Sequence, residues 1–164
     1  MILGIDPGCR TTGWAVVYET SPPDLADCGT IRTKSEAEMR DEIVAFFANL
    51  AIPSAAPILS RVVAVQVPCW NEGLAPRYYA GNGMSVARNA ALAGWIVGTA
   101  EGKGARVEIV TSLQCRGKGL KMPEKIWRAA WNYDGRTSSH ARDAAQIALI
   151  ALNRIKLAEL GKET

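Results

Sequence analysis

Histidine is almost missing from this chain: His140 is the only one in 164 residues. Cysteine is sparse as well, with Cys9, Cys28, Cys69 and Cys115 far apart and no Cys-x-x-Cys pair among them. A zinc site of thiolates and imidazoles is left without its ligands, so free thiols in a reducing compartment are the better reading. Long apolar runs are absent too, and nothing approaches the roughly 20 residues that span a bilayer. The amino terminus reads as a strand rather than as a basic segment leading into an apolar one, so no membrane partner and a cytoplasmic location are expected. Charge of one sign is also lacking. The formal net charge is only +3, so where the basic residues lie matters more than their sum.

What remains is an ordinary globular composition, 48% hydrophobic and 21% charged, without repeats or low-complexity segments. That suits a single domain over residues 1–164 with a full core. The opening ILGIDPG reads as a buried strand stopped by Pro7 and Gly8, and extended character resumes from Gly13 to Tyr18. Asp24 to Thr33 supplies a third strand after the turn Ser21-Pro22-Pro23. Ser35 and Glu38 form a capping box, and Met39, Ile43, Phe46, Phe47 and Leu50 follow at helical spacing, ending before Pro53. RVVAVQV, Arg61 to Val67, is a β-branched run halted by Pro68, which marks a buried strand after a helical crossover.

Met84 to Ala100 reads as a closely packed helix that Gly102 and Gly104 end, and Arg106 to Val110 as a fifth strand. Thr111 to Ser139 is a loop with a short helix at Pro123, and Ser138 or Ser139 caps a last helix running to about Leu160. The order predicts an α/β fold: a mixed five-stranded sheet, three antiparallel strands first and helical crossovers after, flanked by helices. In such a sheet the ends of the first and fourth strands can be neighbours, bringing Asp6 and Gln66 to one edge.

His140 and Asp143 are three apart in the first turn of the last helix, on one face. With Asp6 they make two carboxylates and an imidazole, a set that suits magnesium or manganese better than zinc. Phosphodiester cleavage with two ions about 4 Å apart needs a further acidic ligand, usually a bridging one. The position to supply it holds Gln66, whose amide offers a neutral oxygen and leaves the site one charge short.

The stretch ILGIDPGCRTTGWAVV, the strand VVAVQV and the segment SSHARDAAQIAL, in that order, resemble the RuvC family of Holliday-junction resolvases. The resemblance implies a ribonuclease-H-like fold and a homodimer that cuts four-way DNA junctions with two magnesium or manganese ions per active site. It implies a bacterial cell, or the host cytoplasm for a virus. Carried over by position, Asp6 and Asp143 match the family's first-strand and last-helix aspartates. His140 falls where members carry Asp or His, and Gln66 stands where the family has its glutamate. Catalytic and metal-binding roles are therefore expected for Asp6, His140 and Asp143, with Gln66 the departure.

Trp70 sits near the family's position for an aromatic that wedges into the junction centre. Arg10, Asn71, Tyr78 and Tyr79 are further DNA-binding candidates, as are the basic residues Arg77, Arg116, Lys118, Lys121, Lys125 and Arg128 in or beside the loops flanking the site. Trp95, Trp127 and Trp131 read as core or dimer packing, and Ala91, Gly94 and Gly98 would let their helix approach another closely. Two competing readings remain. One is a non-catalytic junction binder on the same fold, with Gln66 natural. The other is a fragment of an actin-like ATPase, whose first phosphate loop GIDPG also resembles but which needs two such domains.

Overall fold

The computed structural model describes residues 1–49, 62–68, 83–111 and 123–161. Five strands, β1 (Ile2–Asp6), β2 (Thr11–Tyr18), β3 (Asp24–Arg32), β4 (Val62–Val67) and β5 (Arg106–Thr111), form one sheet in the order β3-β2-β1-β4-β5. The first three run antiparallel, and β1, β4 and β5 run parallel. The helices are α1 (Glu36–Asn49), α2 (Gly83–Gly102), α3 (Glu124–Ala130) and α4 (Ser139–Leu160). The α/β class and the mixed sheet match the expectation from sequence. Strand β2 begins at Thr11 rather than Gly13, because pairing with β3 already starts at Thr11 opposite Arg32.

Alternation along the central strands sorts their side chains between two cores. Ile2, Val62 and Ala64 join Ala15 and Val17 beneath α4, packed on Ala144, Ile147, Ala148 and Leu152. Leu3, Ile5, Val63 and Val65 face the other way, against Met39, Ile43 and Phe47 of α1 and Leu92, Ala93 and Ile96 of α2. Capping sets where the helices start. Ser35 Oγ accepts from the Glu38 amide at 3.2 Å, and Glu38 Oε2 accepts from the Lys34 amide at 3.0 Å. At the other end of the chain, Ser138 Oγ accepts from the Ala141 amide at 3.1 Å.

Glycine decides how close α4 comes. A Cβ on Gly4 would lie 2.0 Å from the Ala144 carbonyl oxygen, and one on Gly13 would lie 2.0 Å from that of His140. The helix therefore rests on bare backbone of β1 and β2 at its first turns. Trp127 is buried and packs with Trp131 and Tyr133 against the α4 side of the sheet. Trp95 is half-buried on the α2 side, with the Arg40 guanidinium 6.0 Å from its ring centre. Among the described residues, an added Cβ on Gly94 or Gly98 would meet nothing within 4 Å.

Candidate active site

Strand periodicity places the candidate residues. Ile2 and Gly4 face α4, so Asp6, two residues on, faces it as well, and by the same count Gln66 follows Val62 and Ala64. Ile5 pairs with Val65 in parallel register, so Asp6 and Gln66 end adjacent strands side by side. Helix α4 then brings its first turn over that edge. His140 Nδ1 lies 2.7 Å from Asp6 Oδ2, with the carboxylate largely buried and the imidazole partly exposed.

The turn after Asp6 is braced from within: Thr12 Oγ1 donates to the Gly8 carbonyl at 3.0 Å and accepts from the Gly8 amide at 3.3 Å. Thr12 is buried, which fixes the direction in which the chain leaves β1. Arg142, next to Asp143, reaches Glu124 of α3 at 3.4 Å and Thr137 Oγ1 at 3.2 Å. The start of α4 is thus held from both sides.

The electrostatics follow from this crowding. The hydrogen bond to Asp6 raises the His140 imidazole above its ordinary value, against the opposing effect of burial. Burial, and then the Asp6 carboxylate, push Asp143 up to about 6, with His140 and Arg142 working in the other direction. A carboxyl held above its ordinary value beside a second carboxylate is what a divalent cation relieves. The donor types fit an oxygen-preferring ion: two carboxylates, one imidazole and the Gln66 amide. Among the described residues, however, no three His, Cys, Asp or Glu side chains gather as a ready ligand group. The ring of His140 is engaged with Asp6, and the fourth position carries no charge.

Of the other sequence candidates, Arg10 is exposed and lines a cleft of about 580 Å³ that also reaches His140. Lys125 is exposed on α3. Arg128 donates to the carbonyls of Tyr133 and Asp134. Trp70, Asn71, Arg77, Tyr78, Tyr79, Arg116, Lys118 and Lys121 lie outside the described residues, as do Cys69 and Cys115. Cys28 is a buried free thiol and Cys9 a half-buried one. No described helix is long and apolar enough to cross a membrane. Sequence reasoning passed over Arg88 and Asn89, which line the cleft from α2. Asn89 is a polar residue on that helix's apolar stripe, which was the available signal.

Residues 2–55 match the family model described as crossover junction endodeoxyribonuclease RuvC. A curated RuvC of Oleidesulfovibrio alaskensis is 46% identical over 50 residues, 30% of this chain and 30% of that protein. The RuvC of Anaplasma phagocytophilum is 38% identical over 53 residues, 31% of this chain and 32% of its own. These alignments thus span about a third of the curated relatives. Among solved structures, Thermus thermophilus RuvC in complex with a Holliday junction substrate superposes with a TM-score of 0.63 at 19% identity, covering 98% of this chain and 96% of that one. Fowlpox virus resolvase in complex with Holliday junction DNA gives 0.58 at 11% identity, covering 94% and 99%. The likeness in fold extends over nearly the whole chain.

Proposed function

We propose, for a chain that by its first third and its fold belongs with the RuvC-type resolvases, that it is an endonuclease selective for four-way DNA junctions. The observation that carries this is the pairing of His140 with Asp6 at one end of the sheet, with Asp143 three residues further along α4 and pushed up to about 6 by burial and the Asp6 carboxylate. Asp6, His140 and Asp143 would hold magnesium or manganese ions, two in the full family arrangement, with Gln66 offering an amide oxygen. Bound there, the ions would ease deprotonation of the attacking water and neutralise charge on the leaving 3′ oxygen.

The chain's own groups do the rest. Asp6 sits at the end of a central strand, and its hydrogen bond orients the His140 ring. Arg10 and Lys125 present exposed positive charge to phosphates. Outside the described residues, Arg77, Arg116, Lys118 and Lys121 are further candidates for phosphate contact, and Trp70, Asn71, Tyr78 and Tyr79 for contact with the junction centre. A homodimer in the cytoplasm is part of this reading, supported by the open face of α2 at Gly94 and Gly98. We take residues 1–164 as one domain.

A second reading is favoured by Gln66: with a neutral side chain beside Asp6, the protein binds junctions without cutting them. Cleavage of a synthetic four-way junction and of linear duplex, with magnesium and with manganese, should be compared for the chain and Gln66→Glu. Junction-selective cutting gained or strengthened by glutamate is the expected result. Tight junction binding with no cutting by either would leave the binder, and no preference for the junction would remove both.

A further inference from the structure

Helix α2 carries its apolar stripe on Leu92, Ala93, Ile96 and Ala100, all buried against the sheet. One turn earlier on that stripe stands Asn89, just where the sheet ends. Its Oδ1 accepts from the Cys9 amide at 3.3 Å and from the Cys9 thiol at 3.2 Å. Burial, and then Glu36, raise the Cys9 thiol, so it stays an S–H donor at neutral pH. Cys9 is three residues beyond Asp6, in the same short turn whose inner side Thr12 braces through Gly8. Among the described residues, Asn89 is the residue through which α2 hydrogen-bonds that turn. Asp6 is thereby held between two supports: its pairing with His140 over α4, and a turn hung from α2 on the opposite face of the sheet.

We propose that Asn89 is a positioning residue: its side-chain carbonyl anchors the turn after Asp6 to α2 and so sets the Asp6 carboxylate for strand cleavage. This rests on the resolvase reading for its consequence, though not for its geometry. Loss of the anchor acts on the cutting step, because small misplacement of a reacting group is costly in rate while the basic surface that binds DNA is left in place.

The test uses the full chain, with and without Gln66→Glu, carrying Asn89→Leu, which keeps the shape and removes the acceptor, or Asn89→Asp, which keeps the acceptor. Should leucine prevent folding, Asn89→Ala takes its place. Single-turnover cleavage of a synthetic four-way junction, junction affinity in chelator, and hydrogen exchange at the Cys9 amide are measured. The expected result is roughly a tenfold or greater fall in cleavage rate for leucine, affinity within about twofold, and recovery to within about threefold for aspartate. Exchange at Cys9 should accelerate with leucine and stay slow with aspartate. Unchanged Cys9 exchange with leucine, equal rate losses for both variants, or a loss confined to affinity overturns the proposal. If no parent chain cuts any junction, the resolvase reading falls, and Cys9 exchange alone upholds or rejects Asn89 as the anchor.

Discussion

Replacing Asp143 by asparagine should make the metal-free protein more stable at pH 8 and leave it nearly unchanged at pH 4. Burial and the Asp6 carboxylate push this acid from 3.8 up to about 6. Below the unfolded value both states are protonated and nothing is lost. As pH climbs through the window between the two values, the unfolded chain ionises first, and stability falls until the folded group has ionised too. About two units at about 1.4 kcal/mol each set an upper value of about 3 kcal/mol. The side chain is only half-buried, so solvent screening brings the expected gain to about 1 kcal/mol. Urea unfolding followed by tryptophan fluorescence, in chelator at both pH values, measures it. A variant no more stable than the parent at pH 8, or equally stabilised at pH 4, would refute the reasoning. Magnesium should then stabilise the parent and not the variant, since the charge that disfavours folding is the charge that attracts the ion.

Other consequences are open to the same assays. Gly13→Ala would set a Cβ 2.0 Å from the His140 carbonyl oxygen, and a loss of about 3 kcal/mol or more is expected by urea titration; a loss below about 1 kcal/mol would mean α4 can lift away freely. Ser138→Ala removes the acceptor for the Ala141 amide and should cost about 1 kcal/mol, read as a lower Tm. The His140 imidazole is raised mainly by its bond to Asp6, so the pair's stabilisation is full below the unfolded value and is lost as pH rises through the higher folded one. The stability difference between the parent and His140→Ala should therefore shrink from pH 6 to pH 9; a difference independent of pH would argue against a charged pair.

The strands were legible because proline and glycine punctuate them: Pro7 and Gly8 close β1, Pro68 closes β4, and the β-branched run between leaves little choice. Helix starts were legible from capping chemistry, as Ser35 and Ser138 confirm. The neighbourhood of Asp6 and Gln66 followed from topology, since adjacent parallel strands end at one edge, whereas the approach of His140 to Asp6 was expected from ligand chemistry and the family resemblance. Side-chain partners were less visible. Nothing in the sequence announces that the guanidinium of Arg128 donates to carbonyl oxygens five and six residues away. Nor does a lone asparagine on an apolar stripe declare which distant amide it will satisfy, because that depends on the register between α2 and a turn eighty residues earlier.

The contact of α4 with Gly4 and Gly13 has a bearing on how such a protein can change over time. Where a helix is spaced from a sheet by side chains, each substitution in the layer between them shifts the helix by some fraction of an ångström. Here backbone touches backbone at the level of the site, so the spacing there is set by atoms every residue shares. Repacking farther along α4, at Leu152 or Ile155, would be absorbed beyond this fulcrum. The interior can be rewritten while the two ends of the Asp6 to His140 contact stay where they are, provided the two glycines are kept.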